Sequence, residues 1–84
     1  MEENLFQIEI ISPQQSQTLM VEWIEIEGPN GCFFVGPGHA QIVSIIKNQS
    51  VIIYKKPHIE PIKQSVSSGV FSFRNNAGYL LLDQ

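Results

Sequence analysis

The feature of this sequence that most constrains its fold is a two-residue alternation of apolar and other side chains, repeated in short runs along the chain. In the first run Phe6, Ile8 and Ile10 take every second position, until Ser12-Pro13 ends it. A period of two places successive side chains on opposite faces of a β-strand. No segment shows a sustained 3.6-residue apolar stripe, so the sequence predicts an all-β chain without helices.

A second run, residues 19–27, changes phase where the apolar residues Trp23 and Ile24 adjoin, which we interpret as a β-bulge within one strand. Further apolar runs occupy residues 32–35, 40–46, 51–54, 62–66, 70–73 and 79–82. Turn-like segments separate them at 28–31, 47–50, 57–61, 67–69 and 75–78. Runs and turns at this spacing predict a two-sheet β-sandwich or flattened barrel of about eight to ten short strands.

Length and composition narrow the class of protein. The 84 residues predict a single domain, 1–84, and a chain of this size buries only about 60% of its unfolded surface. Five Lys and Arg residues against eight Asp and Glu give a net charge of −3, which disfavours binding to a phosphate backbone. One cysteine excludes an internal disulfide and favours a reducing compartment. The acidic N-terminus does not resemble a signal peptide, and no run approaches the ~20 apolar residues of a membrane span, so we expect a soluble domain.

The glycine-rich segment 31–40 invites a catalytic or phosphate-binding interpretation, but it lacks the Gly-Lys-Ser/Thr ending and a following helix. His39, His58 and Cys32 could supply three metal ligands, yet no short paired spacing links them. We expect His39 to be a turn histidine whose ring ties the loop to backbone groups. Cys32 has no charged neighbour in sequence that would activate a thiolate. The sequence therefore predicts no catalytic residue, no metal and no cofactor.

Aromatic residues leave two interpretations open. Phe33, Phe34, Phe71 and Phe73 could form a base-stacking platform, or they could fill the core. Phe71 and Phe73 share one face of their strand, whereas Phe33 and Phe34 are adjacent, so one of that pair is expected to be exposed. Trp23 is either an exposed anchor for a partner or a side chain packed over the bulge. Because the basic residues are few and dispersed, core packing is the better interpretation for most of the rings.

The glycine-rich segment also carries the most specific pattern in the chain, Pro37-Gly38-His39-Ala40. Supporting patterns are Ile8-Glu9-Ile10-Ile11-Ser12-Pro13, Val21-Glu22-Trp23-Ile24-Glu25-Ile26, Ser68-Gly69-Val70 and Ala77-Gly78-Tyr79-Leu80-Leu81-Leu82-Asp83. Together they resemble, nearly end to end, the N-terminal β-sandwich domain of the epsilon subunit of F-type ATP synthases. That family's signature is Gly-x-x-Gly, an apolar pair and then Pro-Gly-His-Ala-Pro.

The chain departs from the family pattern at several positions. Phe34 stands where the family usually has glycine, Gln41 replaces the proline after Ala40, and Gln49 replaces a turn glycine, at a cost if φ is positive there. The sequence ends at Gln84, where the family continues into a C-terminal helical hairpin. That hairpin carries inhibition of ATP hydrolysis and, in some members, ATP binding. A chain without it is expected to do neither.

The resemblance implies a non-catalytic central-stalk (rotor) subunit that binds the gamma subunit and the c-ring and couples ion translocation to ATP synthesis. By position, the residues expected near gamma are Trp23, His39, Ala40 and Val43. The turn expected to face the c-ring consists of Gly28, Pro29, Asn30, Gly31 and Cys32; the family often has an acidic residue where Cys32 stands. The resemblance implies no nucleic-acid partner and requires no homo-oligomer. It implies a position on the cytoplasmic side of an energy-transducing membrane, reached only through the complex.

Two alternatives from other classes remain. The first is a free-standing small β-barrel that binds single-stranded nucleic acid through exposed aromatic residues, which the net charge disfavours. The second is a small metal enzyme that uses His39, His58 and Cys32.

Overall fold

The computed structural model describes residues 4–83. Residues 1–3, which include the two acidic residues of the N-terminus, and Gln84 lie outside the described part. Nine strands and no helix are found within residues 4–83. The strands are β1 (Phe6–Ile11), β2 (Ser16–Val21), β3 (Trp23–Gly28), β4 (Gly31–Val35), β5 (Ile42–Ile46), β6 (Ser50–Lys55), β7 (Ile62–Val66), β8 (Gly69–Arg74) and β9 (Ala77–Leu82). In these described residues no helix has the length and hydrophobicity needed to cross a bilayer.

The strands form two sheets that pack face to face. One has five strands in the order β2-β1-β9-β8-β5, and the other has four in the order β4-β3-β6-β7. The strand pairs are antiparallel except β1 and β9, which are parallel. The predicted all-β two-sheet sandwich is confirmed, and the strand number lies within the predicted range. The sheets remain separate and do not close into a barrel.

The core lies between the sheets and is built from alternate residues of each strand. Phe6, Ile8 and Ile10 are all buried, as their alternation predicts. Phe6 and Phe73 meet edge to face with ring centroids 5.4 Å apart, a favoured geometry for aromatic pairs. The two inner faces thus form one apolar cluster, which a sandwich of this size needs for its stability.

The predicted β-bulge in residues 19–27 is wrong. This segment is divided between β2, in the five-stranded sheet, and β3, in the four-stranded sheet, with Glu22 between them. The apolar phase changes because the chain passes from one sheet to the other, and both sheets direct their apolar side chains to the same core. Val21 and Ile24 are accordingly both fully buried. The Glu22 amide donates to the Lys55 carbonyl over 2.7 Å, which holds the crossing in place.

Several turns hold residues other than glycine at positive φ. Gln49 has φ of 57°, so the condition under which replacing a turn glycine is expected to carry a cost, a positive φ, is met. Asn75 and Asn76, with φ of 52° and 59°, form the two-residue connection between β8 and β9. Two consecutive positive φ angles are typical of the tight turns that match the twist of a hairpin, and asparagine tolerates them.

Candidate interaction surface

The outer face of the five-stranded sheet carries a contiguous group of exposed apolar side chains, which we call the apolar face. Val43 is 70% exposed, Ile45 63% and Leu81 51%. Strand register joins them, because Ile45 lies opposite Val70, Val70 opposite Leu81 and Leu81 opposite Ile11. The apolar face is thus made of Ile11, Val43, Ile45, Val70, Tyr79 and Leu81. Contiguous exposed apolar patches of a few hundred Å² are often functional in soluble proteins.

A shallow groove of about 420 Å³ lies in the apolar face. Its lining residues are Ile11, Gln41, Val43, Ser72, Arg74, Tyr79 and Leu81. Arg74 is the charged residue of this lining, at the end of β8 where the chain turns into β9. The groove therefore combines an apolar floor with one cation at its margin.

The outer face of the four-stranded sheet is different, and we call it the charged face. Its outward residues include Trp23, Glu25, Glu27, Cys32, Phe34, Lys55 and Lys63, placed there by the register of β3, β4, β6 and β7. Two ion pairs join its margins, Lys47 Nζ to Glu27 Oε2 over 3.3 Å and Lys55 Nζ to Glu22 Oε1 over 3.8 Å. Trp23 is half-buried against Phe34, with ring centroids 5.3 Å apart. It lies on the outside of the sheet and covers no bulge.

The loop between β4 and β5 contains Pro37-Gly38-His39-Ala40 and is fixed by backbone contacts. The Gly38 amide donates to Asn76 Oδ1 over 2.8 Å, which ties this loop to the β8–β9 turn. His39 Nδ1 lies 2.7 Å from the Ala40 carbonyl oxygen, and because a carbonyl only accepts, the ring nitrogen is the donor. The His39 ring also packs edge to face on Phe73, with centroids 5.9 Å apart. The prediction that His39 is a turn histidine that ties the loop to backbone groups is confirmed.

The four residues predicted to lie near a gamma subunit are not all on one face. His39 and Ala40 are exposed in the β4–β5 loop, and Val43 follows on the apolar face in the next strand. Trp23 lies on the charged face, separated from Val43 by the thickness of the sandwich, about 10 Å between sheets. It nevertheless belongs to the same end of the molecule as the loop, since a β-carbon at Gly36 would lie 3.9 Å from the carbonyl oxygen of Glu22.

The turn predicted to face a c-ring lies at the opposite end of β4 from the His39 loop. Gly28 and Gly31 are directly opposite each other, and Pro29-Asn30 forms the two-residue connection. Gly31 has φ of 129°, and a β-carbon added there would meet no atom within 4 Å apart from its chain neighbours, so the chain bends into open space. Pro29, Asn30, Gly31 and Cys32 are exposed, whereas Gly28 is buried.

Sequence reasoning missed the acidic neighbours of Cys32. Partial desolvation by surrounding protein atoms raises the pKa of the Cys32 thiol, and the charges of Glu27 and Glu25 raise it further. Cys32 lies opposite Glu27 in the β3–β4 pair, a proximity that the hairpin register creates across five positions of sequence. A raised pKa leaves less of the thiol as the nucleophilic thiolate, which argues against a catalytic role for Cys32.

The structure also bears on the two alternatives. Phe71 and Phe73 are 0% and 1% exposed, and Phe33 packs against the core, so the four-ring stacking platform does not exist. Phe34 is 58% exposed, which confirms that one of the adjacent pair points outward. Within residues 4–83, no three His, Cys, Asp or Glu side chains are grouped to hold a metal, so His39, His58 and Cys32 are not brought together as ligands.

Compared by sequence, the chain matches no protein-family profile and no curated protein. Compared by structure, it superposes over its full length on a chain of the Euglena gracilis mitochondrial ATP synthase, in a cryo-EM structure of OSCP/F1/c-ring in rotational state 1. The TM-score is 0.86 at 11% identity. It likewise superposes over its full length on a chain of the central stalk/c-ring of the Tetrahymena thermophila mitochondrial ATP synthase, with a TM-score of 0.80 at 4% identity. The chain spans 53% of the first neighbour and 67% of the second. Its fold is therefore the β-sandwich that these neighbours contain.

Proposed function

We propose that this chain is a non-catalytic central-stalk subunit of an F-type ATP synthase, which binds a gamma subunit and a c-ring and helps to couple ion translocation to ATP synthesis. The observation that carries the proposal is the superposition of the whole chain on chains from two ATP synthase structures. The loop Pro37-Gly38-His39-Ala40 supports it independently, since the sequence resembles the epsilon β-sandwich at this loop. Under this proposal the chain lies on the cytoplasmic side of an energy-transducing membrane and is associated with that membrane only indirectly, through the complex.

The apolar face is the part of the surface that best suits a permanent partner. Val43 lies within it, and His39 and Ala40 border it, so we propose these three residues as one continuous gamma interface. Burying a half-exposed aliphatic side chain contributes roughly 1 kcal/mol of binding free energy. Several neighbouring side chains buried together therefore favour a stable contact. Trp23 belongs to the margin of this interface, because it lies at the same end of the sandwich on the other face.

Co-expression with the gamma subunit from the same source tests the proposal. We expect a complex of one chain per gamma that survives size-exclusion chromatography. The stalk function would be contradicted if the isolated chain is folded and monodisperse but does not co-elute with gamma. Circular dichroism of the isolated chain supplies the required evidence of folding.

Cys32 allows a separate test of the turn proposed to face the c-ring. It is the single cysteine of the chain and it is exposed, so a maleimide photo-crosslinker attaches at one defined place. In an assembled complex, crosslinks from Cys32 are expected on the polar loops of the c subunits. A matched Ile59→Cys variant in the background Cys32→Ser places the crosslinker in the β6–β7 connection, which is exposed at the opposite end of the four-stranded sheet from Cys32, and should not yield them. Equal c-subunit crosslinking from both positions would contradict the proposed orientation.

A further inference from the structure

Arg74 is an exposed cation at the margin of the apolar groove, and no carboxylate within residues 4–83 pairs with it. The ion pairs found in that range are Lys47–Glu27 and Lys55–Glu22, and neither involves Arg74. Register places Arg74 on the outward side of β8 together with Val70 and Ser72. The other charged side chain facing outward from the described strands of this sheet is Glu9, which lies opposite Tyr79 on β1 and forms no ion pair with Arg74. The groove thus presents a positive charge, unpaired among the described residues, beside an apolar floor.

From this geometry we infer that the groove binds an amphipathic helix of the gamma subunit that carries an Asp or Glu side chain opposite Arg74. The inference rests on the proposed function, since it names the segment that occupies the gamma interface. Arginine favours a carboxylate because its planar guanidinium can donate two parallel hydrogen bonds to the two oxygens. The apolar side chains of the helix occupy the space between Val43, Tyr79 and Leu81.

The dimensions of the face favour a helix over a second copy of this chain. Four strands about 4.8 Å apart, each contributing some five residues of about 3.3 Å, enclose roughly 300 to 350 Å². Two such faces stacked together bury about 700 Å², well under the ~1,200 Å² of stable specific interfaces. A symmetric dimer through this face would also enclose the Arg74 side chains of both copies in one contact. Among the described strands of this sheet, the only carboxylate on the outer face that could pair with them is that of Glu9. A helix of about 11 residues, at 1.5 Å per residue, spans the same distance of about 17 Å and can place a carboxylate opposite Arg74. Under the proposed function gamma also contacts His39 and Ala40 beside the face, so its interface is not limited to the area of the face.

The test titrates purified gamma subunit with four forms of this chain, the wild type and the variants Arg74→Glu, Arg74→Gln and Lys63→Glu, at low and high salt. Lys63 is the matched control, because it is an exposed cation on the charged face and its reversal changes the net charge by the same amount. We expect Arg74→Glu to weaken binding by at least about 30-fold and Arg74→Gln by about 5- to 10-fold, with Lys63→Glu within about threefold of wild type. Arg74→Gln should also reduce the salt dependence of the dissociation constant.

Rescue identifies the partner side chain. Each Asp or Glu of gamma that lies on an exposed apolar helix is reversed to Lys, and one such reversal should restore binding to Arg74→Glu while weakening the wild type. If no reversal restores binding, the specific pair with Arg74 is overturned.

The titration also separates failure of the inference from failure of the proposed function. If Arg74→Glu behaves like Lys63→Glu while gamma still binds the wild type, the inference fails and the proposed function stands. If gamma does not bind the folded wild type, the proposed function itself has failed. A concentration-dependent dimer that Val43→Asp abolishes would show that a second copy occupies the groove, which also overturns the inference.

Discussion

The two outer faces of this sandwich obey the same period-two rule but carry opposite chemistry. On the five-stranded sheet the outward positions of β5 and β8 include Val43, Ile45 and Val70, which leave apolar surface in water. On the four-stranded sheet the outward positions of β3 include Glu25 and Glu27, with ion pairs at the margin. A monomer in water gains nothing from exposed aliphatic side chains, whereas charges are readily solvated. The difference favours the apolar face as the surface for a partner, since on the charged face the exposed apolar residues Phe34 and Val51 lie among charged side chains.

The largest expected effect tests this comparison directly with the same substitution on each face. Val43→Asp should weaken gamma binding by about 100-fold or more, roughly 3 kcal/mol, because it buries a carboxylate in an apolar contact, and any pair that this carboxylate formed with Arg74 would remove that arginine from gamma. Val51→Asp is the matched control, since Val51 is 42% exposed on the charged face. It should change binding by less than about threefold. Isothermal titration with purified gamma measures both, and equal losses would show that the two faces do not differ in function.

A second, smaller effect concerns the margin between the faces. Trp23→Ala removes the ring that packs on Phe34, so the free energy of unfolding should fall by about 1 to 2 kcal/mol. Gamma binding should weaken by about three- to tenfold, less than for Val43→Asp, because the proposed interface places Trp23 at its margin. Urea unfolding and titration separate the two quantities. A binding loss larger than that of Val43→Asp would move the interface to the charged face.

A third prediction changes stability without touching either face. Gln49→Gly should raise the free energy of unfolding by roughly 0.5 to 1 kcal/mol, because Gln49 has φ of 57° and glycine carries no β-carbon penalty there. Gamma binding should be unchanged. The control is Asn48→Gly, because Asn48 is not among the residues at positive φ. Urea denaturation of both variants separates the effect of the positive φ from the general effect of introducing a glycine. A destabilised Gln49→Gly would mean that the greater freedom of the unfolded chain outweighs the relief of strain.

The smallest effect reports the electrostatics of the charged face. Because the pKa of Cys32 is raised by desolvation and by Glu27 and Glu25, its alkylation by iodoacetamide should increase at higher pH than that of free cysteine. Glu27→Gln removes a negative charge and should shift this profile toward lower pH. Glu9→Gln, which removes an equal charge on the other sheet, should leave the profile unchanged. Identical profiles for all three proteins would show that the acidic neighbours do not act on the thiol.

Much of the fold could be predicted from local patterns. The alternation of Phe6, Ile8 and Ile10 predicts the buried side of β1, and the turn compositions mark the ends of most strands, because both depend on neighbours in sequence. The phase change near Trp23 is visible in the sequence, yet it leads to the wrong prediction of a bulge. A bulge and a passage between sheets produce the same local pattern, and only the pairing partners of β2 and β3 distinguish them.

The candidate surface was predictable only in part. His39 is expected from sequence to tie its loop to backbone groups, but its contact with Phe73 and the bond from Gly38 to Asn76 join residues more than 30 positions apart. Val43 is predicted for the interface, whereas its neighbours Val70 and Leu81 are not, because nothing in the sequence shows that three distant strands lie side by side. The acidic surroundings of Cys32 are missed for a different reason, because a hairpin around the predicted turn 28–31 would have placed Cys32 opposite Glu27 from local pattern alone.

The sequence by itself determined that this chain forms short strands, which side of each strand is apolar, and where the chain turns, because these properties follow from side-chain period and backbone preference. Only the tertiary structure decided which strands are neighbours, and therefore that Val43 and Trp23 lie on opposite faces and that Arg74 borders an apolar groove. The physical reason is that strand pairing is a long-range contact. Any alternating strand can pair with another through the same backbone hydrogen bonds, and the choice among partners is made by the packing of the whole core.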